Sequence, residues 1–200
     1  MALKNGDELL AKEEKDNTTI NGHAYVDLGL SVKWATCNVG ASSPEDDGDY
    51  YAWGETSTKS TYSRNNSKTQ DKSSYNSDIG GDASLDAARA NWGGTWRLPT
   101  KAEAQELRDK CTWQWTTRGK KGCKVTGPSG RSIFLPSAGS RCGSSLLENG
   151  LYDVNYWTST PCEGDARGLS AYDFLFNTPG RYKDMGCLRF IGRSVRPVSE

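Results

Sequence analysis

The stretch Leu98–Cys111, LPTKAEAQELRDKC, decides the class of this fold. Thr100 has a side chain able to accept from the open backbone N–H groups of a helix start, and Glu103 three residues later completes a capping box. Ala104, Leu107 and Cys111 then recur as the buried stripe of one helix face. Just upstream, residues 82–94 (DASLDAARANWGG) place Leu85, Ala88 and Trp92 on one stripe, and Gly93 supplies a C-terminal stop. Two short amphipathic helices therefore sit in the middle of the chain.

Outward from them the pattern is extended. Residues 24–28 (AYVDL) alternate as a first strand, and 32–41 (VKWATCNVGA) form a second extended segment with Trp34 as a core anchor. Residues 42–56 (SSPEDDGDYYAWGET) read as a loop entering an aromatic segment. From Ser57 to Asp82 nearly every residue is Ser, Thr, Asn, Lys, Asp or Gly, which predicts a poorly packed surface excursion. After the helices, 111–117 (CTWQWTT) alternate, and 122–137 (GCKVTGPSGRSIFLPS) read as a hairpin turning at Pro128–Gly130. The segments 156–160 (YWTST) and 171–176 (AYDFLF) are further strands. The last is 193–198 (RSVRPV), which Pro197 confines to an edge or ends. Strand, loops, two helices, then many short strands make an α+β domain over 22–200. Residues 1–21 read as a tail or linker, a short helix or solvated chain without the apolar centre of a signal peptide.

Composition narrows the function. The chain is only 34% apolar with mean hydropathy −0.74, yet it holds seven Trp and nine Tyr, so a few aromatic residues must pin a loop-rich fold. Lys and Arg number 25 and Asp and Glu 25, so no basic surplus favours nucleic acid, and no apolar run favours membrane insertion. Six cysteines (37, 111, 123, 142, 162, 187) lack a C-x-x-C pair, and His23 is the single histidine, which argues against a zinc site. Disulfides stay open, with free, buried thiols as the default reading. No cofactor is expected. Calcium at Glu45, Asp46, Asp47 and Asp49 is the weaker alternative, because that loop lacks the alternating ligands and the glutamate at the twelfth position. A lone histidine gives no triad, so an enzyme is not expected.

Six ordered phrases carry a resemblance: YVDLGLSVKWATCNVGA, GDYYAWGET, ANWGGTWRLPT, IFLPSAG, YWTST and GRSVRPV. Together they resemble the Fibrobacter succinogenes major paralogous domain of gut Bacteroidetes, from about Asn21 to the end. That family is similar to the C-type lectin fold of the formylglycine-generating enzyme and of variable proteins diversified by retroelements. The resemblance implies that first and last strands pair, that two helices flank the sheet, and that an irregular C-terminal segment presents the ligand surface. It further implies a framework at NYWTST (Asn155–Thr160) and GRSVRPV (Gly192–Val198), with 156–196 as the candidate variable region. The calcium-dependent sugar motifs of animal lectins are absent. So is the cysteine pair of the formylglycine-generating enzyme in RYKDMGCLRFIGRSVRPV.

On that reading the candidate ligand-binding positions are Asp153, Asn155, Cys162, Asp165, Arg167, Leu169 and Ser170, then Asp173 and Leu175. Tyr182, Asp184, Gly186, Cys187, Leu188, Phe190 and Ile191 complete the set. The run Cys187–Ile191 has neither strand nor helix period and lies between Gly186 and Gly192, so it reads as loop. Alternation in 171–176 sends Tyr172, Phe174 and Phe176 to the core and Asp173 and Leu175 outward. A loop tucking Leu188, Phe190 and Ile191 into the core is the alternative. The expected function is a non-enzymatic protein binding a protein or glycan on a cell or virion surface, displayed on a bacterial envelope or phage tail. An undiversified structural or adhesin domain of a surface lipoprotein is the second reading. A formylglycine-generating-type enzyme is the third.

Overall fold

The computed structural model describes residues 18–147, 153–177 and 181–200. β1 (Thr19–Ile20), β2 (His23–Val26) and β3 (Lys33–Ala35) open the chain, and α1 (Ala87–Trp92) and α2 (Lys101–Lys110) follow a long connection. Then come β4 (Thr112–Arg118), β5 (Lys120–Thr126), β6 (Ser132–Pro136), β7 (Ser140–Cys142) and β8 (Ser145–Leu147). β9 (Asp153–Pro161), β10 (Ser170–Asn177), β11 (Arg181–Leu188) and β12 (Val198–Ser199) complete the chain. The architecture is α+β, with antiparallel sheets ordered β1-β2-β3-β12, β4-β5-β6, β7-β8 and β11-β10-β9.

Both helices begin as their caps dictate. Asp86 accepts from the N–H groups of Ala88 and Arg89, and Thr100 and Glu103 form the reciprocal capping box. Gly93 ends α1 at φ 65°, a left-handed conformation that glycine adopts without strain. Trp34, Trp53, Trp92, Trp96 and Trp157 are all buried, and they divide between two cores. One gathers Trp34, Leu107, Leu135, Tyr156 and Phe174; the other gathers Trp53, Trp92, Trp96 and Trp157. His23 stacks flat on Trp92, with centroids 3.8 Å apart, and is not part of a loose tail.

The chain closes at its C-terminus. The wholly buried Arg196 donates to the carbonyls of Ala35, Thr36 and Phe134 and to Asn38 Oδ1, so one guanidinium ties the C-terminal segment to two others. β12 lies at a sheet edge, as Pro197 requires, but it pairs with β3 (Val198 opposite Trp34) and not with the first extended segment. Thr19–Ile20 pairs with β2, so the domain already includes residues assigned to the tail; residues 1–17 lie outside the described residues.

Two further expectations, on the excursion and on the thiols, are corrected. The 57–82 excursion is packed: Tyr62, Thr69 and Ile79 are buried, and its N–H groups at Tyr62, Asp71 and Ile79 donate to Gly143, Gly168 and Ser159 carbonyls. Polar composition misled because a few apolar side chains, Tyr62 and Ile79 among them, suffice once backbone hydrogen bonds hold the rest. In the acidic loop the carboxylates meet neighbouring cations and backbone N–H groups. Glu45 pairs with Arg118 and Asp47 with Lys120, while Asp46 accepts from the N–H groups of Ser42 and Ser43. Among the described residues no three carboxylates, thiols or imidazoles come together to hold a metal. All six cysteines are free, and only Cys123 is fully buried; burial raises the Cys111 and Cys162 thiols to about 11.

Candidate ligand-binding surface

The candidate positions converge on one sheet. β10 runs between β9 and β11, pairing Phe174 with Tyr156 and Asp184, and Phe176 with Val154 and Tyr182. The register slips between Ala171 and Asp173, where β9 bulges through Thr158–Thr160. Cys187 and Leu188, expected in a loop, belong to β11 opposite Ala171 and Ser170. Edge pairing overrides their lack of alternation. Leu175, Tyr182 and Asp184 are placed by this backbone register, and their side chains lie outside the described residues.

One face of β10 meets the first core as expected: Phe174 stacks on Tyr156 at 5.3 Å and meets Trp34 edge-on at 6.2 Å, and Phe176 packs on Trp113 and Trp115. Tyr172 is half-buried, with Lys101 Nζ 3.8 Å from its ring centroid. The opposite face departs from expectation. Asp173 is 3% exposed and Asn155 1%, so neither presents to a ligand. Arg193 covers Asp173, its Nη2 2.9 Å from Asp173 Oδ2 and 3.2 Å from Cys187 Sγ, its guanidinium over Trp157. A central strand packed on both faces buries both halves of its alternation, and charge survives there only when paired. Burial raises the Asp153 carboxyl, an effect that Arg193 opposes.

The odd run inverts its apparent polarity. Leu188 is 41% exposed, whereas Arg189 between it and Phe190 is wholly buried. Arg189 stacks on Trp53 and donates through Nε to the Ser170 carbonyl and through Nη2 to Asn76 Oδ1 at 2.7 Å. Its Nη1 points at the carbonyls of Thr69 and Lys72, which clamps the 57–82 excursion to β10. Phe190 and Ile191 are half-buried, and Cys187 and Ile191 lean on the second core. The alternative of a tucked-in loop thus holds for Ile191 and not for Leu188.

The turn joining β9 to β10 carries the remainder. Asp165 accepts from the N–H groups of Leu169 and Ser170 at 2.7 and 2.6 Å, so its carboxylate shapes the turn. Gly168 sits at φ 71°, and a Cβ there would come within 2.5 Å of the Lys72 carbonyl. Arg167 is exposed; Cys162, Leu169 and Ser170 are half-buried; Gly186 is exposed, and a Cβ on it would meet the Cys162 thiol at 2.6 Å. A groove of about 400 Å³ runs along this turn, lined by Asn76, Asp78, Thr160, Cys162, Glu163 and Asp165. Asn76, Asp78 and Glu163 were not among the expected positions, and only the excursion's docking brings the first two there. The geometry offers exposed side chains on a rigid support. Comparison with protein-family models, curated proteins and solved structures returns no match.

Proposed function

We propose that this chain is a non-enzymatic ligand-binding protein with a C-type lectin-like fold, whose C-terminal surface is diversified by a retroelement. Its target is a protein or glycan on a cell or virion surface. The observation that carries the reading is the inversion at Leu188–Arg189: the residue that anchors the fold is hidden, and the residue beside it is offered to solvent. Diversification needs this separation, because exposed positions change at little cost while buried ones do not. The binding surface then comprises Arg167, Gly186 and Leu188 with the exposed parts of Cys162, Asp165 and Phe190. Asn155 and Asp173 belong to its support.

Sequencing this locus in independent isolates tests the proposal. Expected are a neighbouring reverse transcriptase gene, a near-identical template copy, and substitutions at Arg167 and Leu188 with Asp173, Arg189 and Arg193 constant. A locus without template or reverse transcriptase, and uniform across 156–196, overturns it.

A further inference from the structure

A second concavity shares no residue with the β9–β10–β11 sheet. This cleft, of about 550 Å³, opens between Ala24–Asp27 on β2 and its continuation and Ser132–Phe134 on β6. That volume suits a ligand of two or three sugar rings. On the sheet β4–β5–β6, Cys123 and Val125 face the core, so alternation turns Lys124 to the other face, opposite Phe134. Gly122 makes room for this: a Cβ there would come within 2.5 Å of the Phe134 ring.

The walls are unequally charged. Among the described residues Arg118, Lys124 and Arg131 line the cleft with one carboxylate, Asp27, whose Oδ1 accepts from the Gly29 N–H at 2.8 Å. The acidic loop brings Glu45 to Arg118 and Asp47 to Lys120, while Lys124 remains exposed. Among the described residues Glu45 offsets Arg118, so Lys124 and Arg131 against Asp27 leave a small positive excess between the two walls. Hydroxyls of Thr18, Thr36 and Ser132 and the Tyr25 ring share the lining. Those groups suit sugar hydroxyls and a ring face. An extended peptide would instead need an open strand edge. β2 is paired by β1 and β3, and the Phe134 carbonyl on β6 accepts from Arg196 at 3.0 Å, so neither wall offers a continuous one.

We propose that this cleft is a second binding site, for an anionic oligosaccharide held through its carboxylate or sulfate groups by Lys124 and Arg131. The test is calorimetric titration of the full chain with trigalacturonate, a sulfated heparin tetrasaccharide, maltotriose and hexaglutamate. Saturable binding of either anionic sugar, with maltotriose silent, is expected; binding of trigalacturonate identifies carboxylate as sufficient, and binding of the heparin tetrasaccharide without trigalacturonate identifies sulfate as required. Lys124→Gln with Arg131→Gln should weaken that binding at least about tenfold, and added salt should weaken it too. Leu188→Asn should leave it unchanged, which separates this site from the C-terminal surface. Binding of neither anionic sugar, equal binding by the double variant, or binding of hexaglutamate alone overturns the proposal.

Discussion

The guanidinium of Arg189 lies 4.5 Å from the ring centroid of Trp53, wholly out of solvent, while its neighbour Leu188 is 41% exposed. This contact assigns the charged residue of the C-terminal run to the scaffold and the leucine to the surface. It also explains why a polar excursion of Ser, Asn and Lys is ordered. The Arg189 donors end on Thr69, Lys72 and Asn76, so the excursion satisfies a buried cation.

Arg189→Met keeps much of the apolar stem and removes the donors. It should cost about 2–4 kcal/mol, since several hydrogen bonds from a charged group are lost and their carbonyls are stranded. Hydrogen exchange should show amides of Asp71 and Tyr75 losing protection before those of α2. Uniform loss of protection would mean that Arg189 is not a local clamp.

Asp173→Ala leaves Arg193 buried without its carboxylate and should cost about 3–5 kcal/mol by chemical denaturation. The paired change Asp173→Leu with Arg193→Met should recover much of that loss. Additivity of the two single losses would show that they do not act as a pair.

The run itself should divide. Leu188→Asn should change stability by less than about 0.5 kcal/mol, whereas Ile191→Asn, on the second core, should cost about 1–3 kcal/mol. Phe174→Ala should cost roughly 3–5 kcal/mol, the penalty of emptying an aromatic site between Trp34 and Tyr156. Thermal melts of the three variants rank them directly.

Acid sensitivity should be traceable to Glu103. Burial alone would raise its carboxyl, but the Arg97 pair (2.7 and 2.8 Å) and the Thr100 N–H outweigh burial and hold it below the ordinary value of 4.5. A depressed folded pKa means the stabilisation is complete above 4.5 and is lost as pH falls through the folded value. Glu103→Gln should therefore cost about 1–2 kcal/mol at pH 7 and flatten the acid limb of the stability curve. An unchanged acid limb would place that sensitivity elsewhere.

What was legible in the sequence was local. The Thr100–Glu103 box, the Gly93 stop and the turn at Pro128–Gly130 depend on residues within four positions of one another, and each forms as expected. Tryptophan burial was legible because such large apolar area has nowhere else to go. The fate of Asp173 was not, since alternation separates two faces but does not say that a central strand is covered on both. Arg189 was hidden for a related reason: Trp53, Asn76 and Ser170 converge on it only after the chain has folded. The candidate positions thus fall on one sheet and its adjoining turn, with buried residues such as Asp173 and Asn155 mixed among exposed ones such as Arg167 and Leu188.

The central claim is that 156–196 separates replaceable surface from fixed support. Saturation mutagenesis of that segment, displayed on yeast and sorted for resistance to protease, measures it residue by residue. Arg167 and Leu188 should accept nearly every substitution with resistance unchanged, and Asp173, Arg189 and Arg193 should accept almost none. Equal tolerance at both sets, or intolerance at Arg167 and Leu188, would contradict it.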